Sequence, residues 1–522
     1  MNVFLSTQVA YPWTTEGSFS FRGYFLAEEQ CWRASAAISY LRQRLTAEAP
    51  ETVLRGLNGV FSVIWEREGE ILFAVDRLRG LPLFYAMPGG ELWVGDDAAA
   101  LAEALPRRTL SPVAAEEYLS NGTFVSGSST LLQELFQVQA AEVCFFDKAG
   151  AELSHSTYFR TEHGDFIDDG DVDALLQAFW LAYEKTGKNL VQALNGRTAV
   201  VPLSGGADSR MVLSMLKKEG YEKVFCFTYG REGNRESEIS RAVAGEFGYP
   251  WAMVPYTGKM WENLRNDPVT ADYERFAFAC SSTPHLQDFP AVKYLKEHHM
   301  IPGDSVFVPG HSGDIPNGNH VAALYLEPSV TKRDCMNSVE RGFYSRMTPA
   351  LEAHVFASHP VPEEASVQDY ASVEEWFDTS ERQAKYIVNS VRVYEFFGYE
   401  WLIPLWDNEQ FDFWKRVSLS WRYRRKLYYF AVNDRLPSTN DATASRRLAG
   451  KVRQIPGLRT AARRAKRVWN YWTSPLCIEH FFHASVYWKA CISAPPTFTS
   501  ATLSSQRHLT QLKEELRRHE ES

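Results

Sequence analysis

Paired cysteines are the first thing this chain lacks. Its 522 residues hold seven, at 31, 144, 226, 280, 335, 477 and 491, and no two form a C-x-x-C pair. That spacing excludes finger- or ribbon-type zinc and dithiol redox chemistry, and free thiols suit a reducing compartment. There is no apolar run of about 18 residues or more, so no segment reads as a membrane span. The start, Met1-Asn2-Val3-Phe4-Leu5, has no basic region and no extended apolar stretch, so no secretory signal is read and the expected location is cytoplasmic. A net charge of −9 argues against the chain as a general polyanion binder, and no nucleic-acid partner is expected. One stretch stands out by charge: Ala442 to Ile478 has no Asp or Glu but nine Lys or Arg, including Arg446, Arg447 and Lys451. Trp469, Tyr471 and Trp472 stand at its end. A solvated helix face, a phosphate clamp, and a peripheral membrane contact through residues 446–472 are the readings it permits.

What is present suits an enzyme of two or three domains. Hydrophobic residues make up 45% and charged residues 23%, enough for full cores at this length. Runs Gly59–Glu66 and Ile71–Asp76 read as strands around a hairpin turn at Arg67–Glu70. Leu83–Ala86 and Leu92–Gly95 repeat the pattern around Pro88-Gly89-Gly90, so antiparallel sheet is expected here. A polar, acidic stretch from Thr161 to Asp171 reads as a linker. Beyond it strands alternate with helices: Ala199–Leu203, Val224–Gly230 and Trp251–Tyr256 as strands, Ser237–Phe247 as a helix ended by Gly248. Such alternation predicts a doubly wound parallel sheet, whose ligands sit at the carboxyl ends of the strands. From about residue 330 the texture is mostly helical.

The end of the first of those strands carries Ser204-Gly205-Gly206-Ala207-Asp208-Ser209, followed by an apolar helix. Two glycines let the backbone turn tightly and aim N–H groups at one point, and a helix start favours an anion. Ser204 and Ser209 can donate to phosphate oxygens, and Asp208 can hold a cation. This reads as a pyrophosphate cradle; an ordinary strand–helix turn is the plain alternative.

Two further runs give the cradle a context. Gly398-Tyr399-Glu400-Trp401-Leu402-Ile403-Pro404-Leu405-Trp406-Asp407 is similar to a Gly-x-Glu-x-Arg-x-Pro-Phe-x-Asp pattern, with Leu402 in place of arginine. Pro309-Gly310-His311-Ser312-Gly313-Asp314 is similar to a Ser-Gly-Glu-Gly-x-Asp turn, with His311 in place of an acid. In this order the three runs resemble the asparagine synthetase family, together with its relatives that close lasso peptides or amidate sugars. Leu57-Asn58-Gly59-Val60-Phe61 and Asp76–Tyr85 resemble that family's glutamine amidotransferase half. The resemblance implies an α+β domain of antiparallel sheets, degenerate and Ntn-hydrolase-like, over residues 1–160. A linker over 161–175, an α/β ATP-pyrophosphatase (PP-loop) domain with a doubly wound parallel sheet over 176–480, and a tail over 481–522 complete the expected layout.

The implied activity is an ATP-dependent, AMP-forming ligase making C–N bonds. The implied ATP and pyrophosphate contacts are Ser204, Gly205, Gly206, Asp208, Ser209, Phe227 and Thr228; the implied Mg²⁺ ligands are Asp208 and Asp314. His311 is the candidate general base, or else merely caps its turn. A cation at the α-phosphate is expected from Arg446, Arg447 or Lys451, with Lys426 as a weaker match. Glu400 reads as structural. The acceptor carboxylate is left open among aspartate, a sugar uronic acid and a peptide acid, and the nitrogen between ammonia, from a separate supplying protein, and an amine. Two other readings are a non-catalytic nucleotide-binding assembly partner and, disfavoured by the negative net charge, a tRNA-modifying ATPase.

Glutaminases of this family use an N-terminal cysteine whose own amine is the base. Here Asn2 stands at position 2, the first cysteine is Cys31, and no Arg-Gly-Pro-Asp element is present. The expectation is a domain without glutaminase chemistry: purified protein given glutamine releases no glutamate above a blank, and steady release would refute it.

Overall fold

The computed structural model describes residues 1–7, 10–67, 69–147, 149–435, 469, 471–493 and 500–521. Arg446, Arg447 and Lys451 lie outside the described residues. The architecture is mixed α/β, with three sheets and many helices.

Strand Asn58–Arg67 is buried on both faces from Val60 to Trp65, which is why it reads as a continuous apolar run. It pairs antiparallel with Phe19–Ala27 and, through the expected turn, with Glu70–Val75, where Arg67 faces Glu70. Glu142–Asp147 and Glu152–Thr157 extend the same sheet. One face packs Phe21, Phe61 and Val63 against Ile38 and Leu41 of helix Ala34–Ala47. The other packs Ile64, Phe73 and Val75 against Tyr85 and Val94 of a second, smaller sheet. In that sheet strand Asn2–Phe4 runs parallel to Trp93–Gly95, against the all-antiparallel expectation. It enters as an edge strand with no hairpin, because the chain leaves at once for the larger sheet.

Asp76 locks the turn leaving the first sheet. It accepts from the backbone N–H of Phe61 (3.2 Å), Leu78 (2.8 Å) and Gly80 (3.0 Å), while burial pushes its carboxyl up to about 7. At Gly80 a Cβ would lie 2.6 Å from Val60 Cγ1 and 2.7 Å from the Trp401 ring, so glycine permits the two halves of the chain to touch there.

In the second half five strands form a parallel sheet: β1 (Ala199–Pro202), β2 (Val224–Gly230), β3 (Trp251–Pro255), β4 (Val306–Phe307) and β5 (Glu400–Trp401), in the order β3-β2-β1-β4-β5. The order reverses beside β1, which leaves a crevice at the carboxyl ends of β1 and β4. Helix α1 (Val172–Leu194) starts on an Asp171 cap, whose carboxylate accepts from Ala174 N–H at 2.8 Å. Its stripe Leu175, Phe179, Ala182, Tyr183 and Thr186 faces inward at helical spacing. Helix α2 (Ala207–Lys218) follows β1, and α3 (Arg235–Phe247) ends at Gly248 with φ 75°, where a left-handed residue is needed.

The two halves share buried ions. Arg22 reaches Asp96 at 2.7 Å and, across the chain, Glu395 at 2.6 Å, with all three side chains withdrawn from water. Lys385 lies in a π-helical segment, Asp378–Ile387, and donates to Glu381 (2.6 Å) and to the carbonyls of Val125 and Gly127. The polar stretch 161–171 is pinned as well: His163 N–H donates to Ser372 Oγ, and its ring meets Glu375 and Arg422. The last helix, Ser500–Glu521, returns to the first half and packs Leu509, Leu512 and Leu516 among Leu101, Ala102 and Tyr118.

Removing the guanidinium of Arg22 would strand two buried carboxylates. Arg22→Leu is expected to cost about 3–5 kcal/mol in denaturant unfolding. A loss below about 1 kcal/mol, the value of an exposed pair, would contradict the burial of this network.

Candidate functional site

The site is built where β1 and β4 end. Ala199 pairs with Val306 and Val200 with Phe307, so the segments that follow these strands leave the sheet side by side. After β1 comes the loop to α2, which begins at Gly206 with no side chain capping its first turn. Ser209 Oγ donates to the Ser204 carbonyl (3.2 Å) and accepts from Ser204 N–H (3.3 Å), and Gly206 N–H donates to Ser204 Oγ (3.2 Å). Both serines thus hold the loop in shape.

After β4 comes Pro309–Asp314, and two glycines press it onto the first loop. A Cβ at Gly310 would lie 2.7 Å from Ser209 N, and one at Gly313 would lie 2.6 Å from Leu405 Cδ1 and 3.5 Å from Asp208 Oδ1. Two of the three matched runs therefore meet at Asp208, and Leu405 of the third packs on Gly313. Ser312 takes a left-handed backbone, φ 63°.

Asp208 and Asp314 are joined by a residue the sequence reading passed over. Arg425 ion-pairs with Asp208 through Nη2 and with Asp314 through Nη1, the latter at 2.6 Å. Its guanidinium lies 4.3 Å from the Tyr428 ring centroid and 5.1 Å from that of Tyr429. Its side chain is 7% exposed, against 21% for Asp208 and 43% for Asp314. Burial pushes the Asp208 carboxyl above its ordinary value, partly offset by Arg425. Burial works against the charge on Arg425, but Asp208 and Asp314 more than offset it and hold its guanidinium above its ordinary range. Arg424 and Arg425 are consecutive left-handed residues, φ 56° and 60°, and this kink directs Arg425 inward. Lys426, the residue the family pattern singled out, instead lays its Nζ 3.8 Å from the Trp421 ring centroid.

His311 is half-buried, and its Nδ1 is enclosed without a hydrogen-bond partner among the described residues. Burial pushes its imidazole below the ordinary value, so the ring is neutral at pH 7. His285 behaves likewise: burial is the main cause and His311 itself contributes. Asp288 stands nearby, accepting from the hydroxyls of Tyr229 and Tyr394.

Other matched residues hold the fold together. Phe227 is fully buried against Phe307, and Thr228 is buried beside it. Glu400 binds Arg33 and Arg197, each at 2.8 Å, and so ties the first half to β5. Asp407 accepts from Asn58 (2.8 Å) and Asn189 (3.0 Å) and caps the helix Asn408–Trp414. Leu402 lies in the core. Among the described residues no cluster of three or more His, Cys, Asp or Glu surrounds a metal position, so Asp208 and Asp314 make a two-carboxylate candidate. No described helix is long and apolar enough to cross a membrane.

Residues 41–159 match the family model of a glutamine amidotransferase domain. No curated protein matches the chain. The domain match supports an amidotransferase-type role and includes Asn58 and Gly80, which meet the second half.

The approach of the two loops is testable on its own. Gly310→Ala puts a methyl against backbone and should destabilise by about 1–3 kcal/mol, the usual cost of overpacking. An unchanged unfolding midpoint would mean that the loops are not in contact.

Proposed function

We propose that the chain is an ATP-dependent ligase that adenylates a carboxylate and passes the acyl group to ammonia or an amine. One observation carries this reading: Asp208 and Asp314, from the loops after adjacent parallel strands, converge on a single guanidinium beside a glycine-turned helix start. Two carboxylates close enough to share one guanidinium can share a divalent ion in its stead, and the helix start beside them suits a polyphosphate. The amidotransferase-type domain at 41–159 adds the chemical class.

The triphosphate would lie over Ser204–Ser209, with the N–H groups at the start of α2 directed at its oxygens. A carboxylate oxygen of the acceptor attacks the α-phosphorus, the bond to the bridging oxygen breaks, and pyrophosphate leaves. Asp208 and Asp314 would hold Mg²⁺, which when bound supplies neutralising charge for the departing pyrophosphate. Arg425 lies where its guanidinium can stabilise the same charge. In the second half-reaction the amine nitrogen bonds to the acyl carbon, the carbon–oxygen bond to AMP breaks, and the amine proton passes to the neutral ring of His311. The acceptor is aspartate, a sugar uronic acid or a peptide carboxylate.

The test is AMP release from ATP, Mg²⁺ and ammonium with a panel of these acids. AMP that appears with one acid and vanishes in Asp208→Ala supports the ligase; ATP binding with no AMP from any acid supports the assembly-partner reading instead. For the base, the sign follows from the lowered imidazole: burial disfavours its protonated form, so the acid limb of the rate should lie below the ordinary histidine range, with the rate falling only as the buffer becomes acidic enough to protonate the ring. His311→Ala should lose about 10²-fold and the acid limb with it. An unshifted acid limb in that variant would remove His311 from the role.

A further inference from the structure

Arg425 occupies the position a metal would need. Its two terminal nitrogens each take one of the two carboxylates, and no third acidic ligand among the described residues widens the site. A divalent ion that binds the same oxygens must therefore displace the guanidinium or share its partners. The guanidinium is not fully satisfied where it sits, because Nε is enclosed and has no hydrogen-bond partner among the described residues. Tyr428 and Tyr429 flank it and hold it by cation–π contact, an attraction that tolerates sliding. A triphosphate would offer what the present arrangement lacks: two acceptor oxygens on one group for the fork and additional negative charge.

We propose that Arg425 is a built-in counter-ion that closes the metal position until a nucleoside triphosphate draws it away, so that divalent-cation binding at Asp208 and Asp314 is conditional on nucleotide. The inference rests on the reading of those aspartates as metal ligands. Without nucleotide the arginine neutralises two carboxylates that would otherwise repel each other. With nucleotide it turns to the phosphates and leaves both carboxylates to the metal. Binding order follows: the triphosphate, alone or carrying its metal, precedes any metal bound by the protein itself.

The experiment uses the full chain and Mn²⁺ as the probe, followed by electron paramagnetic resonance of the free ion, with and without α,β-methylene-ATP, after subtraction of the Mn²⁺ that the analogue binds without protein. Wild-type protein should bind Mn²⁺ weakly alone and about 10-fold or more tightly with the analogue. Arg425→Met should bind Mn²⁺ alone about 10-fold better than wild type, and adding Asp314→Asn should abolish the gain. Arg425→Gln, which keeps a polar head without charge, gives the same comparison if the methionine variant does not fold. Tight binding of Mn²⁺ alone to wild type, or no gain in either arginine variant while wild type responds to the analogue, overturns the counter-ion inference and leaves the aspartate reading standing. Absence of Mn²⁺ binding in every protein, with or without analogue, overturns both.

Discussion

Two carboxylates held by one guanidinium set the terms for everything around them. Asp208 and Asp314 stand on different loops, and like charges so placed would push those loops apart unless a cation lay between them. Arg425 supplies it. The rest follows as support: β1 and β4 are neighbours, so the loops start together; Gly310 and Gly313 have no side chain, so the loops can touch; and the left-handed pair Arg424–Arg425 directs the guanidinium into the gap. Remove the cation and the site loses the force that closes it, although the sheet beneath stays intact.

The amidotransferase-type half is welded to this sheet rather than tethered to it. Arg22, Glu400, Asp407 and Lys385 each cross from one half to the other, and all lie buried or half-buried. Buried ions of this kind are weak sources of stability but costly to break, which makes the relative placement of the halves specific. Several residues that match a catalytic pattern serve this joint. Glu400 and Asp407 hold strand β5 and its following helix against the first half.

Much of this was legible in the sequence because it rests on local pattern. The hairpin at Arg67–Glu70, strands β1 to β3 and the helix ended by Gly248 all follow from apolar runs and turn residues. Strands β4 and β5, at two residues each, are too short to show any periodicity; β4 forms by pairing with β1, and β5 by pairing with β4. The loop pair was found through its glycines and aspartates. Arg425 was not, although it stands beside the matched Lys426. Nothing in three consecutive basic residues says which one faces inward; two successive left-handed residues decide it, and neither is a glycine. The parallel pairing of Asn2–Phe4 was missed for a similar reason, since an edge strand takes its direction from its partner.

The most direct test of the account is a crystal structure with α,β-methylene-ATP and Mn²⁺, with the metal located by its anomalous scattering. The account predicts the triphosphate over Ser204–Ser209, a manganese peak at the carboxylates of Asp208 and Asp314, and Arg425 turned from both onto phosphate oxygens. A nucleotide bound elsewhere, or bound at that loop with Arg425 still bridging the two aspartates and no metal between them, would contradict it.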